Sequence, residues 1–461
     1  MPGFEKNDKR EVARPVTDDI IEFISSLRAD SIPEDKRIVA KHCFLDWLGV
    51  TIAGSREELV VLLRQQALEE GYAENCALIG VEQRASTFWA ALINGAASHA
   101  LDYDDVVSAM GGHPSVPVFS AILALAEIDT RSGLDFITAF VAGFEAECLV
   151  GTAVSPDHYG VGFHATGTVG TFGATAACAH LMSLPRPQWG HAFGLAAAQA
   201  AGLKSMFGTM TKPFHAGKAA ANGWLAASLA AKGFTANPKA LEASQGFIET
   251  QSSGFNEAAF DALRNRFSIG EVLFKYHAAC YLTHATIEAA QLLQSEYSIA
   301  DKEIEEVRVL VPESHLKVCN IHTPGSGLEG KFSLRFTTAL ALAGEPTDVT
   351  SFTDEKVRDA RLCGLRDKVT VVPVTNLPNR YSSVVEAKCR DGRVCQGKGD
   401  VSQPTPVEAL PRQWERLAEK FRSLVVPVLG ETSAEAIIAK VAALEKEENL
   451  SSLISLISKG Q

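Results

Sequence analysis

The sequence predicts a mainly α protein, with a large all-helical domain formed by both chain ends (residues 1–270 and 403–461) and a smaller inserted α+β lid domain (residues 271–402). Three observations carry that prediction. From Thr17 to about Gly270 apolar residues recur at helical spacing, as in Ile20, Ile21, Phe23, Ile24 and Leu27 behind the helix-starting run Thr17-Asp18-Asp19. The texture then changes: residues 305–311 alternate as a strand, 368–374 are β-branched, and 384–390 with 393–396 form a hairpin around a two-residue Asp391-Gly392 turn. Helical spacing persists within this piece at 333–343 and 353–362. Beyond the Pro-bearing linker 403–411 it returns at 413–424, 433–446 and 450–457.

Composition bounds the function. At 461 residues the chain exceeds one ordinary domain and can bury a sizeable core. The net charge of −12 argues against nucleic acid as a partner, since a phosphate-binding face needs a concentrated basic patch. Nine scattered cysteines without CxxC spacing indicate reduced thiols, not a disulfide framework or a zinc site. No uninterrupted apolar run has the length of a membrane span, and residues 1–19 show no secretory pattern. The expected location is the cytoplasm, with the mitochondrial matrix as the eukaryotic alternative.

Four segments concentrate ionisable groups. Gly202 to Gly217 places Lys212 and His215 in a Gly/Thr-rich break between Ala-rich runs, an irregular joint where a buried lysine calls for an anion; a solvated loop lysine is the plain alternative. His99-Ala-Leu-Asp102-Tyr-Asp104-Asp105 and Gly111-Gly112-His113-Pro114-Ser115 bring three carboxylates and two imidazoles within 15 residues, a density suited to proton exchange. Gly167, Gly170 and Gly173 recur every third residue after His164, which is not a dinucleotide loop; the spacing permits close helix approach and sets His164 at a helix start, where the dipole favours a neutral base. A core histidine satisfied by a carbonyl competes with that account. Lys275-Tyr276-His277-Ala278-Ala279-Cys280-Tyr281-Leu282-Thr283-His284 is a turn-like lead into an apolar helix, in which Cys280 is either a site residue or a buried filler.

These segments, with Phe44-Leu45-Asp46-Trp47-Leu48-Gly49 and Gly330-Lys331-Phe332-Ser333, resemble the MmgE/PrpD family over most of the chain. Members include 2-methylcitrate dehydratases, cis-aconitate decarboxylases and iminodisuccinate epimerases. The resemblance implies an all-α domain with an inserted lid, a homodimer, and a catalytic set of Asp102, His113, His164 and Lys212 joined by Cys280. Around them Thr211, His215, Lys275 and His277 would bind a small anionic carboxylate substrate, with no metal and no cofactor. Animal-type cis-aconitate decarboxylases resemble this chain but carry histidine at the place of Cys280 and threonine at that of Val106, and both departures weigh against decarboxylation.

The chemistry of the residues fits that implication. Water loss from a citrate-like acid requires a base for a proton beside a carboxylate, an acid for the departing hydroxyl, and fixed positive charge for the enediolate between. The expected activity is therefore dehydration of a 2-methylcitrate-like or citrate-like di- or tricarboxylate, with epimerisation of an iminodisuccinate-like substrate or decarboxylation as alternatives, and a non-catalytic binding relative as a further one. The acidic cluster at 102–105 imitates a magnesium site of prenyl-diphosphate enzymes, but no second acidic metal motif accompanies it.

Overall fold

The computed structural model describes residues 14–71, 73–261 and 267–459; the reading of residues 1–13 lies outside the described residues. The N-terminal part is built from α1 (Val16–Ser26), α2 (Glu34–Gly54), α3 (Glu58–Glu70), α4 (Thr87–Ala100), α5 (Ser115–Ile128), α6 (Gly133–Val154), α7 (Ala165–Leu181), α8 (Arg186–Gln199) and α9 (Thr211–Ala231). Ser86 and Ser132 begin α4 and α6 by accepting the N–H groups of Trp89 and Asp135, as helix-capping hydroxyls do. Helices α4, α5, α6, α7 and α9 pack on one another as the centre of a large apolar core. Glycines let them approach: a Cβ on Gly95 of α4 would stand 2.8 Å from the Cα of Gly217 on α9. Small residues here set the distance between helices, and that distance places the site residues carried at their ends.

Two differences from the sequence reading have physical causes. The α9 helix begins at Thr211, so Lys212 lies in its first turn and His215 just after it, and neither is in a loop. Pro213 is tolerated there because first-turn N–H groups have no intrahelical partner. Residues 232–270 are mostly irregular, with one short α-helix, Phe247–Gln251, and 3-10 turns at Glu257–Phe260 and Ser268–Glu271 among the described residues, because Gly, Asn, Pro and Ser interrupt the apolar spacing.

The second core surrounds a four-stranded sheet of β1 (Ile304–Val311), β2 (Val369–Pro373), β3 (Ser382–Cys389) and β4 (Val394–Asp400), ordered β2-β1-β3-β4. β2 runs parallel to β1, and the other pairs are antiparallel. Helices α10 (His284–Tyr297) and α11 (Leu334–Leu342) pack on each other; α10 also lies on β3 and β4, and α11 on β2. Gly397 and Gly399 bring β4 onto α10, since a Cβ at either would meet the carbonyl oxygen of Ala289 or Ala285 within 2.1 Å. The hairpin turn is three residues, not two: Cys389 N–H bonds Arg393 O at 2.8 Å, and Gly392 takes φ +89°. The expected helix at 353–362 is split between a single turn, Asp354–Val357, and α12 (Ala360–Arg366).

The chain then returns to the first core through α13 (Leu410–Leu429), α14 (Glu431–Ala442) and α15 (Ser451–Ile457), with α13 packed along α2. The fold is thus mainly α with a small α+β part. All nine cysteines are free.

Helix α6 is long and apolar enough to cross a membrane, but 94% of its most apolar stretch is buried inside the protein. It behaves as a core helix carrying two glutamates. Glu145 accepts the N–H groups of Ser268 and Ile269, both at 2.9 Å. Neither oxygen of Glu147 has a hydrogen-bond partner, and burial, reinforced by Asp105 and Glu145, pushes its carboxyl well above the usual range. A carboxyl raised on folding favours the fold below its unfolded pKa and loses that contribution as pH rises. The melting temperature of Glu147→Gln relative to the parent protein should therefore increase between pH 5 and pH 8; a pH-independent difference would mean that Glu147 is ionised in the fold.

Candidate active site

Helix α4 ends at Ala100, and two residues later Asp102 takes a left-handed backbone, φ +50°, at a position glycine usually fills. That costs about 1 kcal/mol for a residue with a Cβ. The conformation turns the Asp102 carboxylate into the protein, where it is 4% exposed. Lys275 Nζ donates to Asp102 Oδ1 at 2.6 Å and to its carbonyl at 2.7 Å. Lys212 Nζ stands 3.0 Å from the same Oδ1 without the alignment of a hydrogen bond. Burial alone would raise the Asp102 carboxyl; the ammonium groups of Lys212 and Lys275, with His113 and His99, reverse that and hold it well below its ordinary value.

The adjacent imidazoles are oriented by carboxylates and carbonyls. Asp104 accepts from His99 Nδ1 at 2.8 Å and lies 3.0 Å from His113 Nδ1, which also bonds the carbonyl of Asp105 at 2.9 Å. His164 is the N-cap residue of α7, as its sequence position suggested, and its Nδ1 meets His215 Nδ1 at 3.0 Å. Burial lowers the pKa of His164 well below the imidazole value, and Lys212 lowers it further. His99 falls to about 3 by burial, against the pull of Asp104. Both are neutral at pH 7. Asp105 is different: burial, then the Asp46 charge, lift it to about 8, and its Oδ2 takes the Ser115 hydroxyl at 2.5 Å.

A cavity of about 60 Å³ opens onto this cluster, suited to a compact ligand. Asp102, His113, His164, Lys212 and Cys280 all line it, so the five residues expected to act share one space. Lys275 lies beneath it and His215 behind His164. Thr211 and His277 are elsewhere: the Thr211 N–H bonds Thr209 Oγ1, and His277 bonds Thr347 Oγ1 with its ring against His284. Cys280 and Cys319 are neighbouring thiols; the hydrogen bond from Cys319 draws the Cys280 pKa down against the opposing effect of burial. Sequence reasoning did not single out His99 and Asp104 as site residues, although both stand in the segment that carried Asp102. Phe207, from the 202–217 segment, also lines the cavity, as do Tyr159, Arg380 and Tyr381, which no local pattern marked.

His99, Asp102, Asp104 and His113 offer ligand atoms within 4.8 Å of one another, a spacing that a metal ion could bridge. Lys212 and Lys275 already place two ammonium groups on Asp102 Oδ1, so lysine supplies positive charge at this carboxylate.

Residues 18–258 match the MmgE/PrpD N-terminal domain and residues 277–446 the MmgE/PrpD C-terminal domain, and the chain belongs to the MmgE/PrpD family. It is 27% identical to a cis-aconitate decarboxylase of Aspergillus terreus (96% of each chain covered) and to the cis-aconitate decarboxylase-like protein oryM of Aspergillus oryzae (96% and 97%). With the human cis-aconitate decarboxylase it shares 26% identity, over 96% of this chain and 95% of the relative. Lyase chemistry is the class of activity that the family and these relatives support.

The two lysines on Asp102 should separate by substitution. Lys275→Met, which removes a fully buried partner donating twice to Asp102, should destabilise by about 3 kcal/mol. Lys212→Met should cost clearly less, because Lys275 still compensates the carboxylate and no buried charge is left unpaired. Chemical denaturation of the two variants reads this directly; equal losses would contradict the division.

Proposed function

We propose that the protein is a cofactor-independent lyase that dehydrates a small citrate-like di- or tricarboxylate by abstracting a proton next to a carboxylate. One observation carries the reading: four buried polar atoms without hydrogen-bond partners, His99 Nε2, His164 Nε2, Lys212 Nζ and Asp102 Oδ2, belong to one cluster, and three of their residues line one cavity. Buried polar groups are normally satisfied, and a ligand carrying carboxylate and hydroxyl groups would satisfy these. His164, neutral and tethered through Nδ1, serves as the base that takes the α-proton. Lys212 stabilises the enediolate that forms. The departing hydroxyl receives its proton from His113, which Asp104 draws toward the cationic form against the burial that lowers its pKa, so that a carbon–carbon double bond and water are produced.

Decarboxylation is the second reading, because the named relatives are cis-aconitate decarboxylases. Here Cys280 and Val106 present a thiol and an isopropyl group to the cavity, in place of the histidine and threonine of the animal-type enzymes. Epimerisation would use the same base and cation with the proton returned from the opposite face. A homodimer and a cytoplasmic setting accompany this proposal.

His164→Ala should lower turnover by about two orders of magnitude, the loss expected for a general base, while changing substrate binding little. Steady-state kinetics with a panel of hydroxy-tricarboxylates, products identified by NMR, test this; near-normal turnover in the folded variant would displace His164 from the mechanism. Chelator-treated enzyme should keep its rate. Cis-aconitate should yield little itaconate, and a rate matching the best substrate would establish the decarboxylase reading. A base with a lowered pKa stays unprotonated on mild acidification. The acidic limb of the kcat/KM profile should therefore lie below the ordinary histidine pKa; a limb centred near that value would point to another base.

A further inference from the structure

Arg380 lines the cavity, Lys204 contacts its lining residue Tyr159 and Lys317 precedes its lining residue Val318, and none of the three has an acidic partner among the ion pairs of the described residues. Lys204 belongs to the turn Lys204–Met206 before α9; its Nζ donates to the Tyr159 carbonyl at 3.0 Å and lies 3.8 Å from the centroid of the Tyr159 ring. Tyr159 and Arg380 both line the cavity, as does Val318, the neighbour of Lys317. The Arg380 guanidinium rests over Tyr381, another lining residue, at 4.8 Å. Partial burial lowers the Lys204 pKa, and the like charges of Lys317 and Arg380 lower it further, so both stand within electrostatic reach of Lys204. In a chain of net charge −12 with 55 acidic residues, three cations gathered beside one opening without acidic partners make a local positive patch that attracts an anion.

We propose that Lys204, Lys317 and Arg380 form a second anion site, which holds a carboxylate of the substrate remote from the reacting carbon and so selects compact tricarboxylates over dicarboxylates. The proposal rests on the reading of the cavity as the substrate site, with Lys212 as the inner cation. It adds a specificity device contributed by both cores, since Lys204 comes from the helical part and Lys317 and Arg380 from the α+β part. A carboxylate there would be clamped between the two.

Isothermal titration with two unreactive probes tests it: propane-1,2,3-tricarboxylate, and succinate, which lacks the third carboxylate. The parent protein should bind the tricarboxylate about tenfold more tightly or better, the value of one charge-assisted hydrogen bond. Arg380→Ala and Lys317→Ala should each weaken the tricarboxylate by about fivefold to tenfold, leave succinate within about twofold, and reduce the salt dependence of tricarboxylate binding. Arg380→Lys should recover part of the loss. Equal affinity of the parent for both probes, or unchanged tricarboxylate affinity in the Lys204→Met/Lys317→Ala/Arg380→Ala protein, would overturn the site. Turnover is a separate readout. Discrimination without dehydration would leave the anion site standing and remove the proposed reaction; dehydration with an unaltered KM in the triple variant would do the reverse.

Discussion

The carboxylate of Asp102 is the point on which the arrangement depends. A buried ion is tolerated only if its charge is met nearby, and Asp102 draws that compensation from two elements distant in sequence, Lys212 on α9 and Lys275 between the two cores. Lys331 of the second core donates to the carbonyl of Leu101, the residue before Asp102, at 2.8 Å. Lys420 of α13 gathers Asp46 Oδ1, Tyr103 O and Lys275 O. Helices α2, α4, α9 and α13 and the inserted sheet domain are thereby fastened to one turn of chain. With two ammonium groups on one carboxylate, Asp102 is fully compensated, and Lys212, unaligned with it for a hydrogen bond, can turn to an anion entering the cavity.

The imidazoles respond to the same balance. In the unliganded protein, burial and Lys212 keep His164 neutral. A substrate carboxylate beside Lys212 offsets that positive field and makes an imidazolium easier to form, so proton affinity rises when there is a proton to remove. Asp104, shared by His99 and His113, fixes two rings whose rotation would otherwise blur the geometry. The neutral carboxyl of Asp105 adds hydrogen bonding to Ser115 without adding negative charge.

Much of this was legible in the sequence because the site is assembled from dense local motifs. Asp102 and His113 lie 11 residues apart, and the runs around His164, Lys212 and Cys280 each carry ionisable groups at a helix boundary. The helical body, the inserted strands and the terminal return could be read from periodicity alone. Other features could not. Arg380 and Tyr381 reach the cavity only because the sheet presents the segment before β3 to the helical body, and periodicity carries no such long-range information. The start of α9 was placed too late because the Gly/Thr-rich run 202–217 reads as a break, while a helix's first turn accommodates Pro213, whose missing N–H is not needed there. Thr211 and His277 show the converse: chemical type and proximity in sequence do not decide which way a side chain faces.

The packing of α13 against α2 bears on how this protein comes to exist. The Lys420 to Asp46 pair joins residues 374 positions apart, and Phe421 and Leu424 stand in van der Waals contact with the place a Cβ would occupy on Gly49. On the ribosome, α2 emerges early with a wide apolar face, and the helix that covers it is made only after the whole inserted domain. At about 5–20 residues per second the wait lasts tens of seconds, during which that face is open to chaperones or to neighbouring chains. The closing helix brings Lys420 to the buried carboxylate of Asp46 as well as apolar cover, so the nascent helical body acquires its last counter-ion when its groove is filled.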